Sequence, residues 1–163
     1  MKNSSLLYVK VGFFLLMFQL KIGRIDLAPD FLGAFLMLLA LRSQEMTEAE
    51  KRLCPLWMIL TVDYLLRWIW DFEYILESLL IEVISIYAIY ALLGEIAKRV
   101  EQTQPEEAKA LHGIRIALTA FTVLAYLFSS YNMEAIMVWI TIGMLVVLFA
   151  LLRVLFKIEP EYY

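Results

Sequence analysis

Six long apolar stretches, separated by short polar segments, limit the possible folds of this chain more than any other feature. They cover residues 6–22, 27–41, 53–70, 74–96, 114–131 and 135–156. A helix needs about 20 mainly apolar residues to cross a hydrocarbon core of about 30 Å. Because 63% of the residues are hydrophobic, a water-soluble fold of this size has too little polar surface to cover them. The sequence therefore predicts an all-α, polytopic transmembrane bundle of about six helices.

The second stretch, residues 27–41, is the shortest of the six. A helix of about 15 residues rises only about 22 Å, which is less than the thickness of the hydrocarbon core. It can be tilted into a thin patch of membrane, be extended by the polar turn after Arg42, or be re-entrant. The sequence leaves open whether it crosses fully.

Two polar segments, 42–52 and 98–113, divide the six helices into three hairpins. Each segment carries a threonine and a glutamate at the spacing of a capping box, Thr47 with Glu50 and Thr103 with Glu106. We therefore expect the third and fifth helices to begin in water. No repeat or low-complexity tract interrupts the chain, which predicts a single integral membrane domain over residues 1–163.

The distribution of lysine and arginine predicts the orientation, because cytoplasmic loops retain these residues. With six helices, one side of the membrane receives Lys2, Arg42, Lys51, Arg52, Lys98, Arg99, Lys109, Arg153 and Lys157. The opposite side receives Lys21, Arg24 and Arg67. This bias predicts a multi-pass protein of the cell membrane with both termini in the cytoplasm.

Five ionisable residues fall inside the apolar stretches: Lys10, Asp63, Arg67, Glu77 and Glu82. A charge at the centre of the bilayer costs about 2.5 to 3.5 kcal/mol, so such residues usually face a bundle interior and have a partner. Asp63 and Arg67 are four residues apart and share one helix face, where they can pair. Glu77 is expected at the depth of Arg67. Lys10 is expected to reach Glu82 if the first and fourth helices touch.

Two interpretations of these residues stay open. In the first, they form buried pairs that fix helix register and contribute little net stability. In the second, they form a route for protons or cations, or a pocket for a polar ligand. Glu82 is the leading candidate, because it should lie nearer the midplane, with Ser78 and Ser85 on roughly its side. At such depth we expect a carboxyl to exchange protons near neutrality.

The loop between the first two stretches carries a second polar group. Asp26 can cap the following helix, Pro29 fits its first turn, and Asp30 gains from the positive end of the helix dipole. Alternatively, acidic residues of the outer loops form a mouth that holds a hard cation. That set comprises Asp26, Asp30, Asp71, Glu73 and Glu134.

The same loop has the pattern I-D-x-x-P-D-F-x-G over residues 25–33. It resembles a stretch found between the first two apolar segments of uncharacterised small multi-pass membrane proteins of Gram-positive bacteria. Ala28 departs from that pattern, in which a larger aliphatic residue is expected. The resemblance implies bacterial origin and membrane location, and it implies no chemistry.

Several kinds of chemistry lack their motifs in this chain. It has no Walker-type glycine loop, no H-E-x-x-H, no C-x-x-C and no G-x-S-x-G, and His112 is its only histidine. A net charge of −3 indicates no nucleic-acid partner. No cofactor is expected, and an enzyme that uses only Asp and Glu is less favoured than the alternatives.

Two classes of function are favoured by the intramembrane charges. One is a small transporter or a membrane-embedded substrate-binding subunit that uses buried carboxylates. The other is a structural or accessory subunit of a membrane complex, in which the ion pairs serve packing only. The expected partners are the lipid bilayer and either another membrane protein or further copies of this chain.

Overall fold

The computed structural model is all-helical, which confirms the predicted fold class, and it describes residues 4–17, 21–22, 25–26, 30–70, 75–129 and 134–158. Six of its helices are α1 (Ser4–Met17), α2 (Asp30–Leu41), α4 (Cys54–Trp70), α5 (Ile75–Val100), α6 (Pro105–Ser129) and α7 (Glu134–Lys157). A single helical turn, α3 (Glu48–Lys51), precedes α4. Two strands of two residues each, β1 (Lys21–Ile22) and β2 (Ile25–Asp26), pair in antiparallel fashion between α1 and α2.

Three of these helices are long and apolar enough to cross a membrane. The spanning segments are Leu79–Val100, Pro105–Phe128 and Ala135–Lys157. Two shorter apolar helices, Ser5–Leu16 and Asp30–Leu41, have 12 residues each by these bounds and rise about 18 Å. The structure thus has the helices of a membrane protein, whereas a full crossing by α1, α2 and α4 stays a prediction.

The chain forms two compact units. The first holds α1 to α4 and α5 up to Leu92, and the second holds α5 from Leu93 together with α6 and α7. α5 runs through both as one continuous helix. The prediction of a single domain over residues 1–163 remains a prediction.

In the first unit, α2 packs closely against both α1 and α4. Two glycines allow the approach of α1 and α2. A Cβ atom on Gly33 would lie 2.7 Å from Leu16 Cγ and 2.9 Å from the Gly12 carbonyl oxygen. Because two helix backbones meet here, only glycine fits at position 33 without displacing one of them. This packing gives a structural reason for the glycine that ends the I-D-x-x-P-D-F-x-G pattern.

In the second unit, α6 packs against α7, and Phe121 fills the space that a side chain at position 143 would need. Threonines in this unit satisfy their hydroxyls within their own helices. Thr119 Oγ1 donates to the Arg115 carbonyl at 2.9 Å, and Thr141 Oγ1 donates to the Met137 carbonyl at 2.8 Å. Such bonds place a polar group in an apolar helix without an unsatisfied hydroxyl.

The two predicted capping boxes have different outcomes. At Thr47 the box is confirmed, since Thr47 Oγ1 accepts from Glu50 N at 3.2 Å and Glu50 Oε2 accepts from Thr47 N at 2.7 Å. It starts the short α3 rather than α4. At Thr103 the prediction was wrong, because the Thr103 hydroxyl donates back to the Val100 carbonyl at 3.3 Å.

The helix boundaries agree with the sequence expectation at α6 and differ from it at α1. α6 begins at Pro105, close to the start that the spacing of Thr103 and Glu106 predicts and nine residues before the apolar stretch, because its first turns are polar. The first helix was predicted to reach residue 22, but Lys21 and Ile22 belong to β1, where Lys21 pairs with Asp26. Pro55 lies in the first turn of α4, where its missing N–H is tolerated.

Candidate functional site

Tyr64 lies at the centre of a polar group in the first unit. Its hydroxyl donates a hydrogen bond from α4 to Ser85 Oγ on α5, with 3.2 Å between the oxygens. The carboxylates of Glu82, Asp30 and Asp63 lie near enough to act electrostatically on the phenol. With the guanidinium of Arg67, these residues form what we call the Tyr64 cluster: Asp30, Asp63, Tyr64, Arg67, Glu82 and Ser85. Its members come from three helices, α2, α4 and α5.

Asp63 and Arg67 form the ion pair that their spacing predicts. Arg67 Nε donates to Asp63 Oδ2 at 2.6 Å. The Arg67 side chain keeps 32% of its surface exposed and that of Asp63 keeps 21%. The pair is therefore made within one helix, and part of it faces outward from this chain.

Asp63 and Glu82 lie at similar depth along their helices. Asp63 is seven residues before the end of α4 and Glu82 is seven residues after the start of α5. At 1.5 Å per residue, each is roughly 10 Å from the helix end nearest the connection between α4 and α5. On the same side, Phe31 of α2 packs against Trp68 of α4, with ring centroids 5.3 Å apart. That contact holds the first turn of α2, with Asp30, beside the last turns of α4.

Glu82 differs from Asp63 in having no fixed partner. Its side chain is half-buried, and it forms no hydrogen bond or ion pair with another described residue. The expected pair with Lys10 is therefore not formed. Lys10 is buried on α1, at 8% exposure, and the close packing of α1 is with α2. A carboxylate without a cationic partner is the feature of the cluster with the clearest chemical consequence.

Several residues of the predicted sites lie outside the described part of the chain. Asp71 and Glu73 are outside it altogether, and the same holds for the side chains of Glu77, Asp26 and Glu134. The acidic mouth therefore stays a prediction, with Asp30 its one member whose side chain lies in the described part of the chain. Among the described residues, no three His, Cys, Asp or Glu side chains are grouped to hold a metal ion.

The capping role expected of Asp26 stays a prediction, because a cap is made by the side chain, and the side chain of Asp26 lies outside the described part of the chain. The backbone of Asp26 lies in β2, opposite Lys21, and α2 is described from Asp30 onward.

Sequence reasoning missed Tyr64 as the centre of the cluster. A tyrosine within an apolar helix, away from the helix ends, needs a hydrogen-bond partner for its hydroxyl. Tyr64 is in such a position, directly after Asp63. Ser85, three residues after Glu82, was on the expected face of α5 and provides that partner. The position of Tyr64, at a depth similar to that of Glu82, was the sequence feature that could have predicted a polar contact between α4 and α5.

The comparisons with known proteins give no relative for this chain. No protein-family model matches it, and neither a curated protein nor a solved structure does. The resemblance of residues 25–33 to a loop of Gram-positive membrane proteins thus stays a prediction. The function proposed below is supported by the geometry of the Tyr64 cluster alone.

Proposed function

We propose that this chain is an integral protein of the bacterial cytoplasmic membrane that carries protons through the Tyr64 cluster, as a small transporter or as the membrane-embedded binding subunit of one. The observation that carries the proposal is the hydrogen bond from Tyr64 to Ser85, which joins α4 and α5 next to Asp63 and three residues from Glu82. Asp30, Asp63 and Glu82 come from three different helices, and the cluster contains one guanidinium, that of Arg67.

Uptake of a proton follows from the cost of charge in lipid. A charge costs about 2.5 to 3.5 kcal/mol at the bilayer centre and less toward the membrane surfaces, and Glu82 is the fourth residue of the candidate span Leu79–Val100. Neighbouring carboxylates raise the cost by mutual repulsion. Arg67 offsets the charge of Asp63. Glu82 forms no such pair with a described residue, so its carboxylate is the proposed proton carrier of the cluster. The hydrogen-bonded hydroxyls of Tyr64 and Ser85 lie beside it and supply donors and acceptors along which a proton can move.

Replacing Glu82 with glutamine tests this role, because the amide keeps the shape of the side chain but does not release a proton. Purified chain in liposomes is subjected to a potassium diffusion potential, and a pH-sensitive dye inside reports proton entry. We expect the wild-type chain to raise proton entry above that of empty liposomes. Glu82→Gln should abolish at least nine-tenths of the increase, because a positioned proton-transfer group typically contributes about a hundredfold or more to the rate.

Glu101→Gln is the matched control, because Glu101 is an exposed carboxylate in the turn after α5 and lies outside the cluster. It should leave proton entry unchanged. The proposal would be overturned if liposomes with the wild-type chain took up protons no faster than empty liposomes. The same holds if Glu82→Gln folds and carries protons like the wild-type chain.

The proposed orientation has both termini and the two long polar segments in the cytoplasm. Reporter fusions at Arg24, Glu48, Glu73, Gln102 and Asn132 test it with a pair of reporters that are active on opposite sides of the membrane. We expect the fusions at Glu48 and Gln102 to report the inside and the other three to report the outside. An outside signal at Glu48 or Gln102 would exclude the six-span arrangement.

The second candidate function is that of an accessory subunit of a membrane complex. It is favoured by the exposure of the Asp63–Arg67 pair, 21% and 32% for the two side chains. Charged groups within a membrane face water or protein rather than lipid, so an exposed pair is suited to contact with another chain. In that case the chain should co-purify with a partner, and loss of the pair should release it.

A further inference from the structure

A groove runs between α6 and α7 in the second unit and has a volume of about 570 Å³. This lies within the roughly 300 to 1,000 Å³ of typical small-molecule sites. Its apolar wall is made of small and branched side chains: Ala110, Gly113, Ala117, Val146, Val147 and Ala150. Gly113 faces open space, since a Cβ atom built there would meet no atom within 4 Å.

The charged residues of the groove are gathered at one end. Glu106 and Glu107 come from the first turn of α6, and Arg153 and Lys157 come from the last turns of α7. Lys157 Nζ and Glu107 Oε1 are 3.8 Å apart and offset each other's charge. The remaining two, Glu106 and Arg153, are both exposed, and neither forms an ion pair within the described ranges. One end of an apolar groove therefore presents one negative and one positive group.

We propose that the groove binds a phospholipid whose headgroup carries both a phosphate and a primary amine, the chemistry of phosphatidylethanolamine. Arg153 is suited to the phosphate, which its guanidinium can bind through two parallel hydrogen bonds. Glu106 is suited to the ammonium group. From Glu106 to Ala117 the groove follows eleven residues of α6, or about 16 Å, along which an acyl chain can lie.

The pairing of charges selects against the other common headgroups. Phosphatidylglycerol has a phosphate but no amine, so it would leave Glu106 beside an anionic headgroup. Phosphatidylcholine has a quaternary ammonium, which has no N–H to donate to a carboxylate. A charge-assisted hydrogen bond contributes about 1.5 to 3 kcal/mol, which corresponds to a preference of at least about tenfold.

Native mass spectrometry of the purified full-length chain tests the proposal with the dioleoyl forms of the three lipids in equal amounts. We expect at least about tenfold more bound phosphatidylethanolamine than either of the others. Arg153→Gln should remove the preference, and Gly113→Leu should reduce bound lipid of every kind by filling the groove. Lys109→Gln is the matched control, because Lys109 is an exposed cation of α6 that does not line the groove.

A change of charge at the charged end of the groove distinguishes a headgroup site from a merely structural role of these residues. Glu106→Lys makes this end of the groove basic, so it should transfer the preference from phosphatidylethanolamine to phosphatidylglycerol. Equal binding of the three lipids, or a preference that Arg153→Gln and Glu106→Lys leave unchanged, would overturn the proposal. A dimer that Gly113→Leu dissociates would also overturn it, because the groove would then hold a second copy of the chain.

Discussion

Replacing Gly33 with alanine is expected to lower the free energy of unfolding by about 2 kcal/mol, as overpacked sites commonly do. The added Cβ would lie 2.7 Å from Leu16 Cγ, 2.9 Å from the Gly12 carbonyl oxygen and 3.0 Å from Leu16 N. Two of these three atoms belong to the backbone of α1 and cannot move aside as a side chain can. α1 and α2 must therefore move apart at this point, and the side-chain packing that depends on their close approach is weakened.

The other glycines provide a graded control for this prediction. Gly12→Ala should cost less, because its Cβ would lie 3.0 Å from the Gly33 carbonyl oxygen and otherwise meet the flexible side chain of Met37. Gly113→Ala meets no atom within 4 Å and should be neutral or stabilising by up to about 1 kcal/mol, from the helix propensity of alanine. Unfolding in a titration with sodium dodecyl sulfate measures the series, and an equal effect at all three positions would contradict it.

The sequence predicted the helical class and the ends of α4 well, because both depend on the length of apolar stretches. Apolar length alone would start α6 nine residues late, whereas the spacing of Thr103 and Glu106 predicted a start close to Pro105. The polar segment there contains charged residues such as Glu106 and Lys109, and apolar length alone does not include them in a helix. Both are exposed on a helix that simply continues past the apolar stretch. Hydropathy reports where a helix meets lipid and not where it begins.

Which contacts of the site could be predicted depends on whether their residues lie on one helix or on several. The Asp63–Arg67 pair lies within one helix, so the spacing of four residues was sufficient to predict it. The Tyr64–Ser85 bond and the nearness of Asp30 depend on how three helices are rotated about their axes. Sequence spacing does not fix that rotation between helices. The Lys10–Glu82 pair required contact between the first and fourth long helices, and the close packing of α1 is with α2 instead.

Breaking the Asp63–Arg67 pair from either side is expected to destabilise the chain by about 2 kcal/mol, less than a fully buried pair because both side chains are partly exposed. Arg67→Ala leaves the Asp63 carboxylate without its partner, and Asp63→Ala does the same to the guanidinium. The double variant removes both charges and should recover most of the loss. Glu48→Ala with Lys51→Ala, in the exposed pair of α3, is the control and should have little effect. The same detergent titration measures all of these variants, and additive losses in the double variant would contradict the coupling.

The double variant also separates the two proposed functions, because it is expected to fold. If the cluster carries protons, Asp63→Ala with Arg67→Ala removes two charges that offset each other and keeps Glu82, so proton entry should stay above the level of empty liposomes while stability is largely restored. If the pair instead contacts another chain, proton entry is at the level of empty liposomes for every variant, and the double variant loses a partner that co-purifies with the wild-type chain. Proton entry and co-purification of a partner therefore distinguish the two functions in the same double variant.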